Sequence, residues 1–213
     1  MTEGRNEGWK KVPKVTGEGK WLRLYDAVYP DVTSGVERRY ECVERVGSRM
    51  PDGVDVIALL RHRDRAEARD SEVVLIKQYR PPVNATVVEF PAGLVEPGED
   101  ALDAGLRELA EETGFVAARA TARVWEASPL LHADPSITTD STVVYVVDVD
   151  ADAEPNLAAN RTQRLEDTEH ISVLLVPLSQ LWDTCRSAAA QGCVVDAKVY
   201  MFAVGLHLAS SLL

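Results

Sequence analysis

Residues Gly93–Val116, GLVEPGEDALDAGLRELAEETGFV, carry seven carboxylates. From Asp100 to Thr113 the spacing predicts a helix, and at about 100° per residue Glu108, Glu111 and Glu112 stand at i, i+3 and i+4 on one face. Leu102, Leu106 and Leu109 fall on another. The leucines can pack in a core, whereas the glutamates must meet water or a cation. Like charges at i and i+4 cost an isolated helix about 0.2–0.5 kcal/mol per pair. Arg107 can pair with Glu111, but one guanidinium does not neutralise the cluster. Carboxylates on a shared face offer hard oxygen ligands suited to Mg²⁺ or Mn²⁺, ions that keep waters and accept phosphate oxygens as further ligands. Such a helix would be a metal shelf for a phosphate substrate. Three glutamates taken alone fit a solvated acidic face better than a metal site, so the longer pattern has to decide.

The elements around this stretch are mostly strands. Apolar and β-branched runs predict strands at Trp21–Tyr29, Arg39–Val46, Val54–Leu60, Val73–Tyr79, Val87–Phe90, Ala122–Trp125, Thr142–Val149 and Ile171–Val176. Further helices are expected at Ser179–Ala190 and Asp196 to about Ser210, the latter with Val199, Phe202, Ala203, Leu206 and Ala209 as its apolar stripe. Gly114 and Gly192 stand where C-terminal caps belong. The run RHRDRAEARD, Arg61–Asp70, has no apolar face and reads as an exposed hairpin loop, and the first twenty residues read as a partly ordered polar tail. The pattern is α+β.

Composition narrows the function classes. The chain has 213 residues, 46% of them hydrophobic, enough for one sizeable core with a smaller annex. A net charge of −11 is a poor footprint for long nucleic acid, so an anionic ligand needs local arginines or metal. Cys42, Cys185 and Cys193 are odd in number and lack CxxC spacing, which supports neither a disulfide framework nor a zinc site and favours a reducing compartment. No apolar leader opens the chain, and the apolar run Val199–Leu213 is too short to span a bilayer. The expectation is therefore a protein that binds no membrane and resides in the cytoplasm, with the nucleus as the alternative. The triplets at Asn84 and Asn160 that resemble glycosylation sites are chance matches on this reading.

The longer pattern around the acidic helix reads G-x5-E-x7-R-E-U-x-E-E-x-G-U, with U apolar, and Gly93, Glu99, Arg107, Glu108, Leu109, Glu111, Glu112, Gly114 and Phe115 fill every fixed position. This segment resembles the Nudix box. Beyond the box, Gln78-Tyr79-Arg80-Pro81-Pro82, Glu89-Phe90-Pro91-Ala92-Gly93-Leu94 and Val195–Tyr200 are similar to the ADP-ribose pyrophosphatase (ADP-sugar diphosphatase) subfamily, along most of the chain. The resemblance implies a Nudix fold, a mixed sheet sandwiched between helices, with an N-terminal antiparallel β annex. Residues 1–50 would be the tail and the strands of a dimerisation region, and 51–213 the Nudix hydrolase domain.

What the resemblance implies for the site follows residue by residue. Glu108, Glu111 and Glu112, with the carbonyl of Ala92, would hold Mg²⁺, with Mn²⁺ as the alternative, while Glu99 and Arg107 brace the loop. Arg80 would clamp the diphosphate, a task suited to a planar bidentate donor; a plain strand-surface arginine is the other reading. Trp21 would stack on adenine, with partial core as its alternative. Tyr40 occupies the place of a second aromatic supplied by a partner subunit, where eukaryotic relatives have Trp. Glu41 would accept from the adenine amino group, Arg45 would reach a phosphate, Leu94 would line the substrate site, and Asp134 would contact the terminal ribose, with His132 a weaker contact. Glu169 would be the base for water, alongside Glu111 and Glu112 as catalytic residues; its neighbours Glu166 and Asp167 remain rivals. The implied activity is Mg²⁺-dependent hydrolysis of ADP-ribose by a homodimer. Other ADP-sugars, oxidised nucleoside diphosphates such as 8-oxo-dGDP, and a non-catalytic ADP-ribose-binding module are the alternatives.

Overall fold

The computed structural model describes residues 10–63, 71–120 and 122–212, and of residues 10–14 the backbone alone. Most of the expected 61–70 loop and the start of the N-terminal tail therefore lie outside the described residues. By contacts the chain divides into two units, residues 1–52 with 130–142, and residues 53–129 with 143–213.

In the larger unit, strands β4 (Gly53–Arg61), β5 (Glu72–Arg80), β6 (Ala85–Glu89), β7 (Ala92–Leu94), β8 (Val124–Ala127), β9 (Thr142–Asp150), β10 (Ile171–Pro177) and β11 (Val194–Val195) form one mixed sheet among the described residues. Its order is β11-β6-β5-β4-β9-β8, with β10 also on β5 and β7 also on β4. β11 runs parallel to β6, while β10, β6 and β4 run antiparallel to β5. The helices α1 (Ala101–Thr113), α2 (Leu181–Ala190) and α3 (Ala197–Leu212) cover both faces. Side chains alternate along a strand, so Ile57, Leu59, Val73 and Leu75 face Leu181, Cys185, Val199 and Ala203 of α2 and α3. Val56, Ala58, Leu60 and Val74 turn the other way, onto Leu106 and Leu109 of α1. Coverage on both sides explains why β4 reads as a continuous apolar run. The expected α+β sandwich is the observed one.

Helix α1 begins at Asp100, whose carboxylate accepts from the N–H groups of Leu102 at 3.0 Å and Asp103 at 3.4 Å. It ends at Gly114, whose left-handed φ of 73° lets its N–H reach the Ala110 carbonyl at 3.0 Å. Gly105 faces β4 so closely that a methyl there would meet Val56 at 2.9 Å. Small volume at that one position seats the helix on the sheet.

The smaller unit is the antiparallel sheet β1 (Lys10–Glu18), β2 (Leu22–Pro30) and β3 (Glu37–Arg45) in that order. Here the sequence reading needs correction, because residues 10–18 are an edge strand and not tail. The ladder shifts register between Lys11 and Val15 and again between Val15 and Gly17. Pro13 lacks an N–H to donate and lysines flank it, which hides a strand signal and suits an irregular edge. Segment 130–142 joins β3 of this unit: the Val43 N–H donates to Ile137 O at 2.9 Å, and the Thr139 N–H donates to Val43 O at 3.1 Å. Arg61 is a second correction, since it ends β4 and donates to Asp148 at 2.8 Å and Ser71 at 2.6 Å rather than sitting in a loop.

Candidate functional site

The acidic face of α1 is built as the wheel requires, and Arg107 is its organiser. The guanidinium spans Glu99 with two bonds of 2.9 and 3.0 Å and reaches Glu108 at 2.9 Å, Glu111 at 3.1 Å and the Leu94 carbonyl at 3.2 Å. These bonds hold the Glu99 carboxyl below the usual range and bind the entry loop to the helix. Glu112 points inward with 3% exposure, and its carboxylate accepts from the Ala92 N–H at 3.0 Å. Burial, reinforced by the charges of Glu108 and Glu169, pushes it up to about 8, against the pull of the Ala92 N–H and Arg80. Burial also raises Glu108, with Glu111 and Glu169 adding to it and Arg107 opposing. Gly93 lies so near the Glu108 carboxylate that any Cβ would collide with it. Among the described residues no three His, Cys, Asp or Glu side chains already converge on one point as a metal site. Glu108 and Glu111 turn onto Arg107, and Glu112 turns onto a backbone N–H.

Glu169 and Arg80 approach the same face. β10 begins with Ile171 opposite Gln78, and the charges of Glu169 and Arg80 both act on buried Glu112, the first raising and the second lowering its carboxyl. The loop carrying Glu169 is tied to the end of α1. The Gln163 side-chain amide donates to the carbonyls of Glu112 at 2.6 Å and Ile171 at 3.2 Å, and the Arg164 N–H donates to Glu111 O at 2.8 Å. Glu169 is half-buried while Glu166 and Asp167 are exposed, and its carboxylate accepts from the Glu166 N–H at 3.0 Å. Arg80, on the end of β5, donates through Nε to both oxygens of Glu89, at 2.9 and 3.2 Å.

In the smaller unit, Trp21 is 66% exposed with the Lys20 ammonium 4.4 Å above its ring, and Tyr40 is 48% exposed on β3. The pairing Leu22↔Arg45 puts Trp21 and Arg45 at one end of the ladder, whereas Tyr40 pairs with Ala27 and Glu41 with Asp26 farther along. Arg45 Nε donates to Asp140 at 2.7 Å. The Asp134 carboxylate accepts from both the N–H and the hydroxyl of Ser136, which closes its own turn, and His132 Nδ1 lies 3.0 Å from the Asp140 carbonyl.

Known proteins share this arrangement of sequence. A family profile described as NUDIX domain matches residues 51–197. The chain belongs to the NUDIX domain family. It is 33% identical over 198 residues to the ADP-ribose pyrophosphatase of Saccharomyces cerevisiae, covering 92% of this chain and 81% of that protein. To the ADP-sugar pyrophosphatase of Mus musculus it is 35% identical over 202 residues, covering 93% and 87%.

As a member of the Nudix family, the chain offers donors that fit a hard divalent cation: carboxylates alone from α1, one of them an acid raised by burial and then by its acidic neighbours, which a cation would relieve. Three residues that hold candidate side chains or their loop received no role from sequence. Glu89 lies two residues before Pro91 in the motif yet gives no hint that it holds Arg80, Gln163 carries no local signal, and neither does Asp140, the partner of Arg45 in the smaller unit. Their partners are brought by the tertiary fold from 9, 51 and 95 positions away, respectively. No helix of the described residues is long and apolar enough to cross a membrane.

Proposed function

We propose that this chain hydrolyses the diphosphate bond of ADP-ribose, giving AMP and ribose 5-phosphate, with Mg²⁺ held by Glu108, Glu111, Glu112 and the Ala92 carbonyl. The observation that carries the reading is a complete Nudix box whose buried Glu112 feels the charges of Glu108, Glu169 and Arg80. The names of the two relatives supply the substrate class. Divalent ions bound at these acids would offset the diphosphate charge and make water easier to deprotonate, contributions of several kcal/mol each. Arg80 orients the diphosphate with its planar fork. Glu169 takes a proton from the attacking water as its oxygen bonds to one phosphorus and the bridging P–O bond breaks. Glu166 and Asp167, more exposed, are poorer placed for that proton.

Trp21 stacks on adenine with Arg45 at the same ladder end, Leu94 lines the diphosphate side, and Glu41 and Asp134 serve the base and the terminal ribose. Trp21 and Tyr40 are separated by about six residues of strand, roughly 20 Å at about 3.3 Å per residue, too far to sandwich one base within a single chain. That spacing supports a homodimer in which the second aromatic comes from the other copy. The protein works in the cytoplasm, with the nucleus as the alternative.

The test is turnover of ADP-ribose with Mg²⁺, run beside 8-oxo-dGDP and ADP-glucose, with products resolved by phosphorus NMR. ADP-ribose is expected to be fastest, with AMP and ribose 5-phosphate as products. Preference for another compound would keep the metal chemistry and discard the ribose and adenine contacts. Binding of ADP-ribose with no product at any divalent ion would overturn the hydrolase itself.

A further inference from the structure

Arg80 has to be available to a diphosphate, yet its guanidinium is engaged by Glu89. That pair aims the side chain and also competes with the substrate for it. A second cation also acts on Glu89. Lys198, in the first turn of α3, places Nζ 3.2 Å from Asp196 and 3.5 Å from Asp55, a residue 6% exposed. The Asp196 N–H donates to the Val88 carbonyl at 3.0 Å, so the turn that starts α3 hangs on the strand residue next to Glu89. Asp196 also receives the Lys198 N–H at 2.8 Å. Asp55 pairs with Ala92 in the β4–β7 ladder, which backs the same cluster against the loop that carries a proposed metal ligand.

We infer that Lys198 is a positioning residue for the diphosphate clamp: shared between Asp55 and Asp196 beside Glu89, it balances the acids that would otherwise draw Arg80 away from substrate. This rests on the reading of Arg80 as the clamp. The charges felt by Glu89 agree: burial raises it most, Asp196 raises it further, and Arg80 and Lys198 pull it down. Lys198 itself stays cationic because Asp55 and Asp196 outweigh the burial that would lower it. With Lys198 neutral, the charges of Asp55 and Asp196 are no longer offset beside the Arg80–Glu89 pair, and the diphosphate must compete harder for the guanidinium. The consequence is a substrate-affinity defect, since the water, Glu169 and the α1 acids are untouched.

The experiment is steady-state hydrolysis of ADP-ribose with Mg²⁺ by the full chain carrying K198M, K198R, R80A or K198M together with R80A, with thermal melting of each. K198M is expected to raise KM about tenfold with kcat within about twofold, a coupling of the size that contacting networks show. K198R should restore KM to within about threefold of the parent, because a cation of similar reach returns. In the R80A background K198M should change nothing further, since its route runs through Arg80. A fall in kcat at unaltered KM, or an equal rise in KM with and without Arg80, would overturn the inference. If K198M does not fold, K198Q is judged by the same two comparisons. A wild-type KM for R80A would instead overturn the clamp reading itself.

Discussion

The acid face of α1 and the aromatic strands of the small sheet hold their candidate residues in opposite ways. Around the acid face of α1 each candidate acid is tied: Glu99, Glu108 and Glu111 to one guanidinium, Glu112 to a backbone N–H, and Glu169 through a loop fastened by Gln163. On the small sheet Trp21 and Tyr40 stand 66% and 48% exposed. The difference matches two kinds of work. Stabilising charge in a transition state needs groups whose positions are fixed in advance, whereas stacking on a base needs a flat surface and tolerates small displacements. Losses on α1 should therefore appear in turnover, and losses on the small sheet in affinity.

The hardest test of that division is Glu112→Gln. The amide keeps the volume and can still accept from the Ala92 N–H, but it removes the charge offered to a metal. A fall in kcat of about 10³ or more is expected, on the scale of losing one preorganised electrostatic group. Folding should be unharmed, because a buried carboxylate without its cation is a liability to stability. Normal turnover at saturating Mg²⁺ would show that the face holds no catalytic ion.

The same division separates what sequence made legible from what it did not. Glu108, Glu111 and Glu112 were readable because helical periodicity is local, and α1 carries them on the face that the wheel assigns, with Leu106 and Leu109 buried opposite. β4 and β5 were readable because burial on both faces leaves the apolar runs Val56–Leu60 and Val73–Ile76. β1 was not, since an irregular edge strand with Pro13 and lysines looks like a solvated tail. The bonds that aim Arg80, Arg45 and the Glu169 loop were also hidden. Each joins residues distant in sequence, and no local spacing encodes that Arg80 reaches Glu89, which pairs with Ile76 on the adjoining strand.

Sharpening the affinity side, Trp21→Ala should raise KM for ADP-ribose about tenfold, since stacking of a base on an aromatic contributes about 1–3 kcal/mol. Tyr40→Ala should raise it less, about threefold, from the smaller ring area. Neither should alter kcat by more than about twofold or shift the melting temperature, because both rings are exposed. A kcat defect in either variant would break the proposed separation of chemistry from recognition.

The smallest effect expected concerns Glu112 with no metal bound. Burial, with Glu108 and Glu169 adding, raises its carboxyl from an ordinary 4.5 to about 8. Between these two values the folded state keeps a proton that the unfolded chain has released, so stability must fall as pH rises through that window. This sign is opposite to that of Glu99, whose lowered carboxyl favours folding once ionised and loses that benefit on acidification. In EDTA the melting temperature of the parent should therefore drop more between pH 5.5 and 8 than that of Glu112→Gln, by a few degrees. Mg²⁺ favours the ionised carboxylate, so it should raise the parent's melting temperature more at pH 8 than at pH 5.5 and do little for the variant. Equal slopes for the two proteins in EDTA would mean that the buried charge is relieved by the protein alone. The tight hold on α1 would then be a property of folding rather than a preparation for metal.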